Sequence, residues 1–416
     1  MITVIGLGVV GLTTALGLSE KGNKVYGYDV NLEKIKTIKN KKLPFFEKDL
    51  QKVLKKNLNN TFFLVSSLKE ALQKSKIIFL CVETPVDNNG ETDLKYVKTA
   101  IDSVVSNLNK KDKKIVIIRS TIPPSTTSKK LIPYIENKGL KVGKDIFIAN
   151  NPEFLREGNA WNDFVHPDRI VVGTSDDYVK KELKKIYLKF GAPICFVTLN
   201  TGEFIKYLSN TFLSTLISYS NEMSVVAEYI GDIDTKSAFK IFHEDKRWCG
   251  QPANMINYVY PGCGFGGSCL PKDTKALIKK AKENGYKTKI LQDVISINNE
   301  IKKYWINKIK EKVPKNKSIV ILGLSFKPES DDVRQSPAFE IIKLLLKEGY
   351  KKIISYDPVS NELFDKVYKV PVKYEKDLKT AVDSSDVVII VTAWKEFLEN
   401  KRIYKGKQIF DLRYCL

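Results

Sequence analysis

Histidine is scarce in this chain, with only His166 and His243 among 416 residues. Two histidines argue against a Ser-His-Asp or Cys-His catalytic centre and leave few nitrogen ligands for zinc. None of the six cysteines forms a Cys-x-x-Cys pair, so we expect free thiols in a reducing compartment and no metal site. Any acid–base chemistry must therefore come from lysine, aspartate, glutamate or water.

Long hydrophobic runs are absent as well. The longest, such as residues 77–82 and 387–391, have the length of strands and are far too short to cross a membrane. The sequence enters an apolar strand pattern at residue 2 without a charged leader and cleavage site, so no signal peptide is visible. These features predict a cytoplasmic protein without a membrane partner.

Acidic residues are outnumbered, 48 against 69 lysines and arginines, which gives a formal net charge of +21. Nucleic-acid binding is one explanation of such a charge. However, much of the lysine is scattered along expected helix faces, and no basic segment is interleaved with aromatic residues. A lysine-rich solvated surface explains the charge better, so we expect no nucleic-acid partner. A polyanionic small substrate is also consistent with it.

The N-terminal residues carry a dinucleotide-binding fingerprint. Residues 1–5 form a buried strand pattern, Gly6-x-Gly8-x-x-Gly11 opens a helical pattern, and a second strand pattern ends at Asp29. This aspartate lies eighteen residues after the third glycine, close to the offset of the acid that binds the adenosine ribose. The helix N-terminus would bind the pyrophosphate. The two residues after Asp29 include no arginine for a 2′-phosphate, so the expected cofactor is NAD.

Strand and helix patterns alternate in two separate stretches, with a mainly helical stretch between them. This predicts an α/β fold of two doubly wound Rossmann-like domains joined by a central helical region, with bounds 1–198, 199–312 and 313–416. A long helix with an apolar stripe in the middle region would bridge domains or pack against a second subunit. The second sheet lacks the dinucleotide fingerprint and should bind something else.

The loop at residues 261–273 concentrates reactive side chains among four glycines. Such glycines allow the backbone to approach a ligand closely. A helix that starts near Pro271 would favour a thiolate at Cys269 through its amides and dipole. The loop is therefore either a nucleophilic cysteine site or a glycine-rich turn with a buried free cysteine. Its own residues do not decide between the two.

Other candidates lie on a helix and at strand ends. Glu203, Lys206 and Asn210 are spaced three and four apart, so they share a helix face. The apolar residues around Lys206 argue against a surface ammonium. Thr84 and Thr121 follow strands whose carboxyl ends should meet the cofactor, although they could be simple helix caps. Two glutamates at 153 and 157 could face the site or be solvated loop acids.

Taken in order, these motifs resemble the UDP-glucose 6-dehydrogenases, within the UDP-glucose/GDP-mannose dehydrogenase family. The segments that carry the resemblance are Gly6 to Gly11, 151–158, Lys206-x-x-x-Asn210, 264–273 and 323–334, which span nearly the whole chain. The resemblance implies an NAD domain, a central helical region that forms a homodimer, and a C-terminal UDP-binding domain. It also implies oxidation of a sugar C6 alcohol to a carboxylate in two NAD-dependent steps.

The resemblance implies roles for individual residues. Cys269 would capture the aldehyde as a thiohemiacetal, which the second hydride transfer converts to a thioester. Lys206 and Asp273 would position a water and handle the alcohol proton, and Asn210 would donate a hydrogen bond to that oxygen. Glu153 would act as the base in thioester hydrolysis. A threonine, Thr121, would orient the catalytic water.

The remaining contacts implied by the resemblance fall into two groups. The cofactor contacts are Gly6, Gly8, Val10, Gly11, Asp29, Lys34, Thr84, Thr121, Glu157, Lys272 and Arg334. The substrate contacts are Glu153, Phe154, Leu155, Arg156, Lys206, Asn210, Arg247, Tyr258, Tyr260, Gly262, Gly266, Phe326 and Lys327. Arg247, twenty-two residues before Cys269, is the candidate for an arginine that reaches the sugar from the neighbouring subunit.

Three alternatives stay open. One is a dehydrogenase of a UDP-N-acetylhexosamine, because such enzymes have segments similar to residues 151–157. Another is a basic nucleic-acid-binding protein on an inactive dehydrogenase scaffold, which would need neither Cys269 nor Lys206. The third is a two-electron hydroxyacid dehydrogenase, which could use Lys206-x-x-x-Asn210 but would require neither Cys269 nor a second α/β domain.

Overall fold

The computed structural model describes residues 1–108, 112–244, 260–285 and 287–416, apart from the side chains of residues 222, 226, 229 and 230. The chain divides into two compact units, Met1–Leu208 and Ser209–Leu416. Each unit is built around one sheet, and a long helix runs from the first unit into the second. Within the described residues, no helix combines the length and the apolar character needed to cross a bilayer.

The first unit contains an eight-stranded sheet in the order β3-β2-β1-β4-β5-β6-β7-β8. All neighbouring strands are parallel except β6 and β7, which pair antiparallel. The strands are β1 Ile2–Ile5, β2 Val25–Tyr28, β3 Phe62–Leu64, β4 Ile77–Leu80, β5 Lys114–Ile118, β6 Ile146–Asn150, β7 Ile170–Gly173 and β8 Ile194–Val197. Most are short apolar runs, as expected for strands buried on both faces.

Helices cover both faces of this sheet and bury its aliphatic side chains in two clusters. They are α1 Val9–Glu20, α2 Leu32–Lys39, α3 Leu50–Asn57, α4 Leu68–Lys74, α5 Lys95–Val105, α6 Ile132–Glu136, α7 Ala160–Val165 and α8 Asp177–Tyr187, with a π-helical turn at Thr127–Leu131 and a 3₁₀ helix at Leu188–Phe190. The strand order reverses beside β1, which pairs with β2 on one side and β4 on the other. Ligands bind at such a reversal, outside the carboxyl ends of the strands.

The second unit contains a five-stranded parallel sheet in the order β11-β10-β9-β12-β13. Its strands are β9 Ile319–Leu322, β10 Ile353–Tyr356, β11 Lys373–Tyr374, β12 Val387–Ile390 and β13 Gln408–Asp411. The helices from the long one onward are α9 Leu199–Ile230, α10 Thr235–Phe242, α11 Leu270–Glu283, α12 Ile290–Lys312, α13 Pro337–Lys347, α14 Asn361–Tyr368, α15 Leu378–Asp383 and α16 Lys395–Glu399, followed by a 3₁₀ helix at Lys401–Tyr404. The predicted class of two doubly wound α/β sheets with helices between them is confirmed. The dimerisation role of those helices and the three domain bounds stay predictions.

Candidate active site

The turn after β1 requires glycine at two positions and leaves open space at a third. Gly6 has a φ of +90°, and a Cβ on it would lie 2.6 Å from the carbonyl oxygen of Cys81. A Cβ on Gly11 would lie only 1.8 Å from the carbonyl oxygen of Gly6. At Gly8, in contrast, a Cβ would meet nothing within 4 Å. The turn is therefore packed on its protein side and open on the other.

Helix α1 begins at this opening, with Gly8 at its N-cap position. No described side chain caps it, and its first turn contains no acidic residue. The first amides of α1 therefore point toward the open space, where the helix dipole favours an anion. This is the arrangement that a pyrophosphate requires.

Asp29, directly after β2, is buried beside the turn. Its Oδ2 accepts hydrogen bonds from the amide of Leu7 at 2.7 Å and from Lys34 Nζ at 2.9 Å. Its Oδ1 accepts from the amide of Asn31 at 2.9 Å. The carboxylate thus braces the glycine turn, and Lys34 balances its charge. Open space at the turn, an uncapped helix and a neighbouring carboxylate together fit a dinucleotide.

The ends of β4 and β5 bring the two predicted threonines together. Thr84 Oγ1 donates to the carbonyl oxygen of Thr121 at 2.8 Å. Thr121 also lines a pocket whose volume of about 10 Å³ admits one water molecule. The other residues that line it are Ile118, Ser120, Ile122, Asn150, Pro152, Glu203 and Lys206. A candidate water site therefore lies in a pocket that Thr121 and Lys206 both line.

Glu153 and Lys206 form a buried ion pair in the first unit. Lys206 Nζ lies 2.8 Å from Glu153 Oε1, and the two side chains are 5% and 6% exposed. Glu153 Oε2 accepts from the amide of Leu155 at 2.6 Å. Burial acts to raise the pKa of Glu153, but the Lys206 ammonium, this amide and Arg119 outweigh it, so the pKa is lowered. Lys206 is thus no surface ammonium, and Glu153 is no solvated loop acid.

The three residues after Glu153 each contact a different partner, and a buried arginine lies in the same region. The ring of Phe154 contacts two cations, with Arg169 at 4.6 Å and Lys206 at 5.8 Å from its centroid. Arg156 forms an ion pair with Asp163 at 2.6 Å, and Leu155 packs against the core of the first unit. No site role was predicted for Arg119, which is buried in this region and donates to Asn151. Arg119 follows a strand pattern, so the sequence indicated its position at a strand end but did not indicate that it is buried.

In the second unit, Cys269 sits at the N-cap position of α11 and is partly exposed. The helix predicted to begin near Pro271 begins at Leu270, with that proline in its first turn. Ser268 Oγ lies 3.5 Å from Cys269 Sγ. The dipole of a fourteen-residue helix therefore favours a thiolate at Cys269.

Asp273, one turn into α11, is fully buried, and its carboxylate accepts hydrogen bonds from two donors. Its side chain accepts from Asn210 Nδ2 and from Lys272 Nζ, the latter at 2.6 Å. Its amide donates to the carbonyl oxygen of Cys269 at 2.8 Å. The predicted catalytic residues thus form two groups, Glu153 with Lys206 in the first unit and Asn210 with Asp273 beside Cys269 in the second.

The glycine loop is held from two sides within the second unit. Asn298 on α12 accepts from the amide of Phe265 at 2.7 Å and donates to its carbonyl oxygen at 3.1 Å. The amide of Gly267 donates to the carbonyl oxygen of Arg334 at 3.0 Å, and a Cβ on Gly266 would lie 2.2 Å from Gln335 O. The sequence did not predict Asn298, because nothing local links it to a loop more than thirty residues away.

The other predicted contacts in the second unit lie around this loop. Gly267 packs near the ring of Phe326, and Lys327 Nζ lies 5.6 Å from the centroid of that ring. Arg334 pairs with Asp332 at 2.8 Å, and the hydroxyl of Tyr260 donates to the carbonyl oxygen of Tyr414 at 3.2 Å. The predictions for Arg247 and Tyr258 lie outside the described residues. In the described ranges, no cluster of His, Cys, Asp or Glu side chains could hold a metal ion.

The second sheet repeats the turn of the first in an altered form. Gly323 follows β9 with a φ of +92°, and Asp357 after β10 accepts from the amide of Leu324 at 2.7 Å. Gly6, Leu7 and Asp29 form the same arrangement in the first unit. In the second unit, however, α13 begins only at Pro337, so no helix N-terminus meets the turn. The second turn therefore lacks the helix N-terminus that would bind a pyrophosphate.

Family models match the chain over nearly its full length. The matches are the NAD-binding domain of the UDP-glucose/GDP-mannose dehydrogenase family at residues 1–191, its central domain at 200–300 and its UDP-binding domain at 320–416. The chain belongs to the UDP-glucose/GDP-mannose dehydrogenase family. The predicted family and the predicted NAD cofactor are thereby confirmed.

Individual members of the family are similar along the whole chain. A UDP-glucose 6-dehydrogenase of Rickettsia bellii is 39% identical, over 100% of this chain and 95% of that protein. The structure of a UDP-glucose dehydrogenase from Pyrobaculum islandicum has a TM-score of 0.91 and 33% identity, over 100% of this chain and 94% of the other. A UDP-D-ManNAc dehydrogenase from Pyrococcus horikoshii has a TM-score of 0.86 and 27% identity, over 100% and 96% of the two chains.

With NAD as the family cofactor, Gly8→Ala should weaken cofactor binding without weakening the fold. The new methyl group meets no protein atom within 4 Å, but it enters the space beside the first amides of α1. We expect the free energy of unfolding to change by less than about 0.5 kcal/mol. NAD affinity should fall at least about tenfold, or about 1.4 kcal/mol, in a calorimetric titration.

Gly11→Ala is the matched control for this substitution. Its methyl group would lie 1.8 Å from the carbonyl oxygen of Gly6, so it should destabilise the unit itself. A loss of about 1–3 kcal/mol in the free energy of unfolding is expected. Unchanged NAD binding by Gly8→Ala would mean that the pyrophosphate does not lie at this turn.

Proposed function

We propose that this chain is an NAD-dependent UDP-glucose 6-dehydrogenase that oxidises the C6 alcohol of UDP-glucose to the carboxylate of UDP-glucuronate. The observation that carries the proposal is full-length similarity, at 39% identity, to a relative named for this activity. The UDP-D-ManNAc dehydrogenase is less similar, at 27%. The NAD-binding and UDP-binding domains of the family model supply the two required binding functions.

Cys269 is the proposed nucleophile for the two-step oxidation. NAD, when bound, supplies the hydride acceptor for each oxidation. The C6 alcohol would lose a hydride and pass its hydroxyl proton to water, which leaves an aldehyde, and the Cys269 thiolate would add to the carbonyl carbon of that aldehyde. Loss of a second hydride and proton converts this thiohemiacetal to a thioester. Water then adds, the carbon–sulfur bond breaks, and the carboxylate leaves with the thiolate restored.

Lys206 is proposed to stabilise negative charge on the reacting oxygen, and Glu153 is proposed to accept a proton. The ammonium can stabilise an oxyanion in a buried site, where such an interaction is strong. Because Lys206 helps keep the pKa of Glu153 low, the carboxylate stays ionised and can accept a proton from the hydrolytic water. Thr121 lines the one-water pocket with Lys206, which supports its role in orienting a water.

Asn210 and Asp273 are proposed to fix the orientation of the polar side chains beside Cys269. The hydrogen bond between them fixes the Asn210 amide one turn along α9 from Lys206. Asp273 is held by the amide of that asparagine and by Lys272, so its carboxylate orients both side chains. In this arrangement Asn210 donates a hydrogen bond to the reacting oxygen of the sugar.

The function is tested by measuring how much NADH is formed per nucleotide sugar consumed. We expect two NADH per UDP-glucose, and no comparable turnover of UDP-N-acetylhexosamines measured in parallel. Two NADH per UDP-N-acetylhexosamine, with UDP-glucose inert, would keep the chemistry and replace the substrate. One NADH per sugar would contradict the covalent role of Cys269. No NADH with any sugar would favour a binding protein on an inactive scaffold.

A homodimer is also proposed, supported by one face of α9. Phe204, Leu208, Phe212 and Tyr219 recur at helical spacing and are each roughly half exposed. A second copy of the chain would bury this stripe. Light scattering that gives the mass of a single chain would overturn the proposal. The cytoplasmic location stays a prediction.

A further inference from the structure

Glu203 is a buried carboxyl group that the mechanism above does not use. It lies on α9, three residues before Lys206, and is 3% exposed. Its Oε1 accepts a hydrogen bond from the amide of Thr127 at 2.8 Å. Its Oε2 has no hydrogen-bond partner among the described residues. Burying a carboxylate with one unsatisfied oxygen costs free energy of folding, which points to a function for Glu203 at this position.

The partner of Glu203 belongs to the segment that carries Thr121. After β5 this segment passes through Ser125, whose φ of +70° is in the left-handed region, and enters the π-helical turn at Thr127–Leu131. A second contact fastens it to the same end of α9, since Ser128 Oγ donates to Asn200 Oδ1 at 2.8 Å. The first turns of α9 therefore hold the segment on which Thr121 lies.

The same part of α9 forms one wall of the one-water pocket. Glu203 and Lys206 line it from the helix, and Thr121 and Ser120 line it from the segment after β5. A shift of the segment relative to α9 would change the separation of Thr121 and Lys206, which are the proposed holders of the reacting water. Glu203 thus connects the two sides of the pocket.

Charged and polar groups lie near Glu203 both on α9 and on the facing segment. On α9 the nearest in sequence is Lys206, which pairs with Glu153 from the loop after β6. On the facing segment the groups are the amides of residues 125–127 and the exposed Lys129 and Lys130. Burial raises the pKa of Glu203 to about 7, although the hydrogen bonds of this segment act to lower it. The carboxyl group therefore changes its charge near neutral pH, and the ionised form accepts amide hydrogen bonds more strongly.

We propose that Glu203 is a positioning residue whose ionised carboxylate fixes the Thr121 segment against the turn of α9 that carries Lys206, and so sets the geometry of the water pocket between them. Its consequence for turnover rests on the proposed function. Protonation of Glu203 weakens the hydrogen bond that its carboxylate accepts from the Thr127 amide. The Thr121 segment can then shift relative to α9. A purely structural cap would stabilise the fold but would not make the geometry of the site depend on pH.

The test compares the pH profile of kcat/KM for UDP-glucose in the wild-type enzyme, in Glu203→Gln and in Asp176→Asn. Glutamine resembles the protonated form at every pH. The ratio of wild-type to Glu203→Gln activity should rise from about 1 at about pH 6 to about 10 above about pH 8, a change of about 1.4 kcal/mol in the activation barrier. Asp176 caps α8 by accepting from the amide of Val179 and does not line the pocket, so its variant should keep the wild-type profile.

Amide hydrogen exchange at residues 125–128 provides a readout without turnover. After correction for intrinsic exchange, wild-type protection should increase as the pH passes about 7, and Glu203→Gln should lack this increase. If no sugar is oxidised but this difference is seen, the proposed function fails and the role of Glu203 stands. A constant activity ratio with identical protection would overturn the proposal. Should Glu203→Gln not fold, pH-independent protection in the wild type would overturn it equally.

Discussion

Cys269→Ser should lose at least about 10³-fold in the rate of carboxylate formation, because a serine hydroxyl is far less ionised than a thiol at neutral pH. The N-cap position of α11 favours a thiolate at residue 269, but it cannot bring a hydroxyl with a much higher pKa to the same state. NAD and the nucleotide sugar should still bind, because the loop around the residue is held by Asn298 and Arg334 rather than by the thiol.

Cys263→Ser is the matched control, since it makes the same chemical change six residues earlier in the same loop. Cys263 is fully buried, and its Sγ lies 3.7 Å from the carbonyl oxygen of Val391. We expect a loss of about 1 kcal/mol in the free energy of unfolding and nearly unchanged turnover per folded molecule. The measurements are NADH formation, thermal melting and calorimetric binding. Normal four-electron turnover by Cys269→Ser would remove the covalent intermediate from the mechanism.

Lys206→Met should strongly reduce turnover and also destabilise the first unit. Methionine keeps the aliphatic length but leaves the buried Glu153 carboxylate without its cation. Loss of one partner of a buried pair costs about 3–5 kcal/mol, and loss of oxyanion stabilisation lowers kcat about 10²–10³-fold. The measurements are denaturant unfolding and initial rates of NADH formation.

The pH dependence of stability provides a further check on this pair. The folded-state pKa of Glu153 is lowered, so the pair stabilises the fold above the ordinary carboxyl value of 4.5 and loses this contribution as the pH falls through the folded-state value. In Lys206→Met this source of acid sensitivity should disappear. Adding Glu153→Gln should restore part of the stability but none of the activity.

Lys56→Met is the control for removal of a lysine from an ion pair. Lys56 pairs with Glu20 at 2.5 Å on the surface of the same unit. Such a pair contributes about 0–1 kcal/mol, so this variant should melt near the wild type and turn over normally. Equal destabilisation by the two lysine substitutions would contradict the burial argument for Lys206.

Local spacing was sufficient for the features that depend on neighbours in the chain. The turn after β1 follows from the positive φ of Gly6 and the close backbone approach at Gly6 and Gly11, and the helix after Cys269 follows from a proline placed in its first turn. The apolar runs predicted the two parallel sheets, because strands buried on both faces must be apolar throughout. One exception is the antiparallel pairing of β6 with β7, for which the sequence contains no signal.

Contacts between distant residues depend on strand order, which brings the ends of separate strands to one edge of a sheet. Glu153 meets Lys206 because the loop after β6 and the start of α9 reach the same edge, and Thr84 meets Thr121 because β4 and β5 are neighbours. The contact of Glu203 with Thr127 spans 76 residues. The residue types of this chain therefore determined its fold class and chemistry, whereas partner choice and burial at each side chain were set by long-range packing.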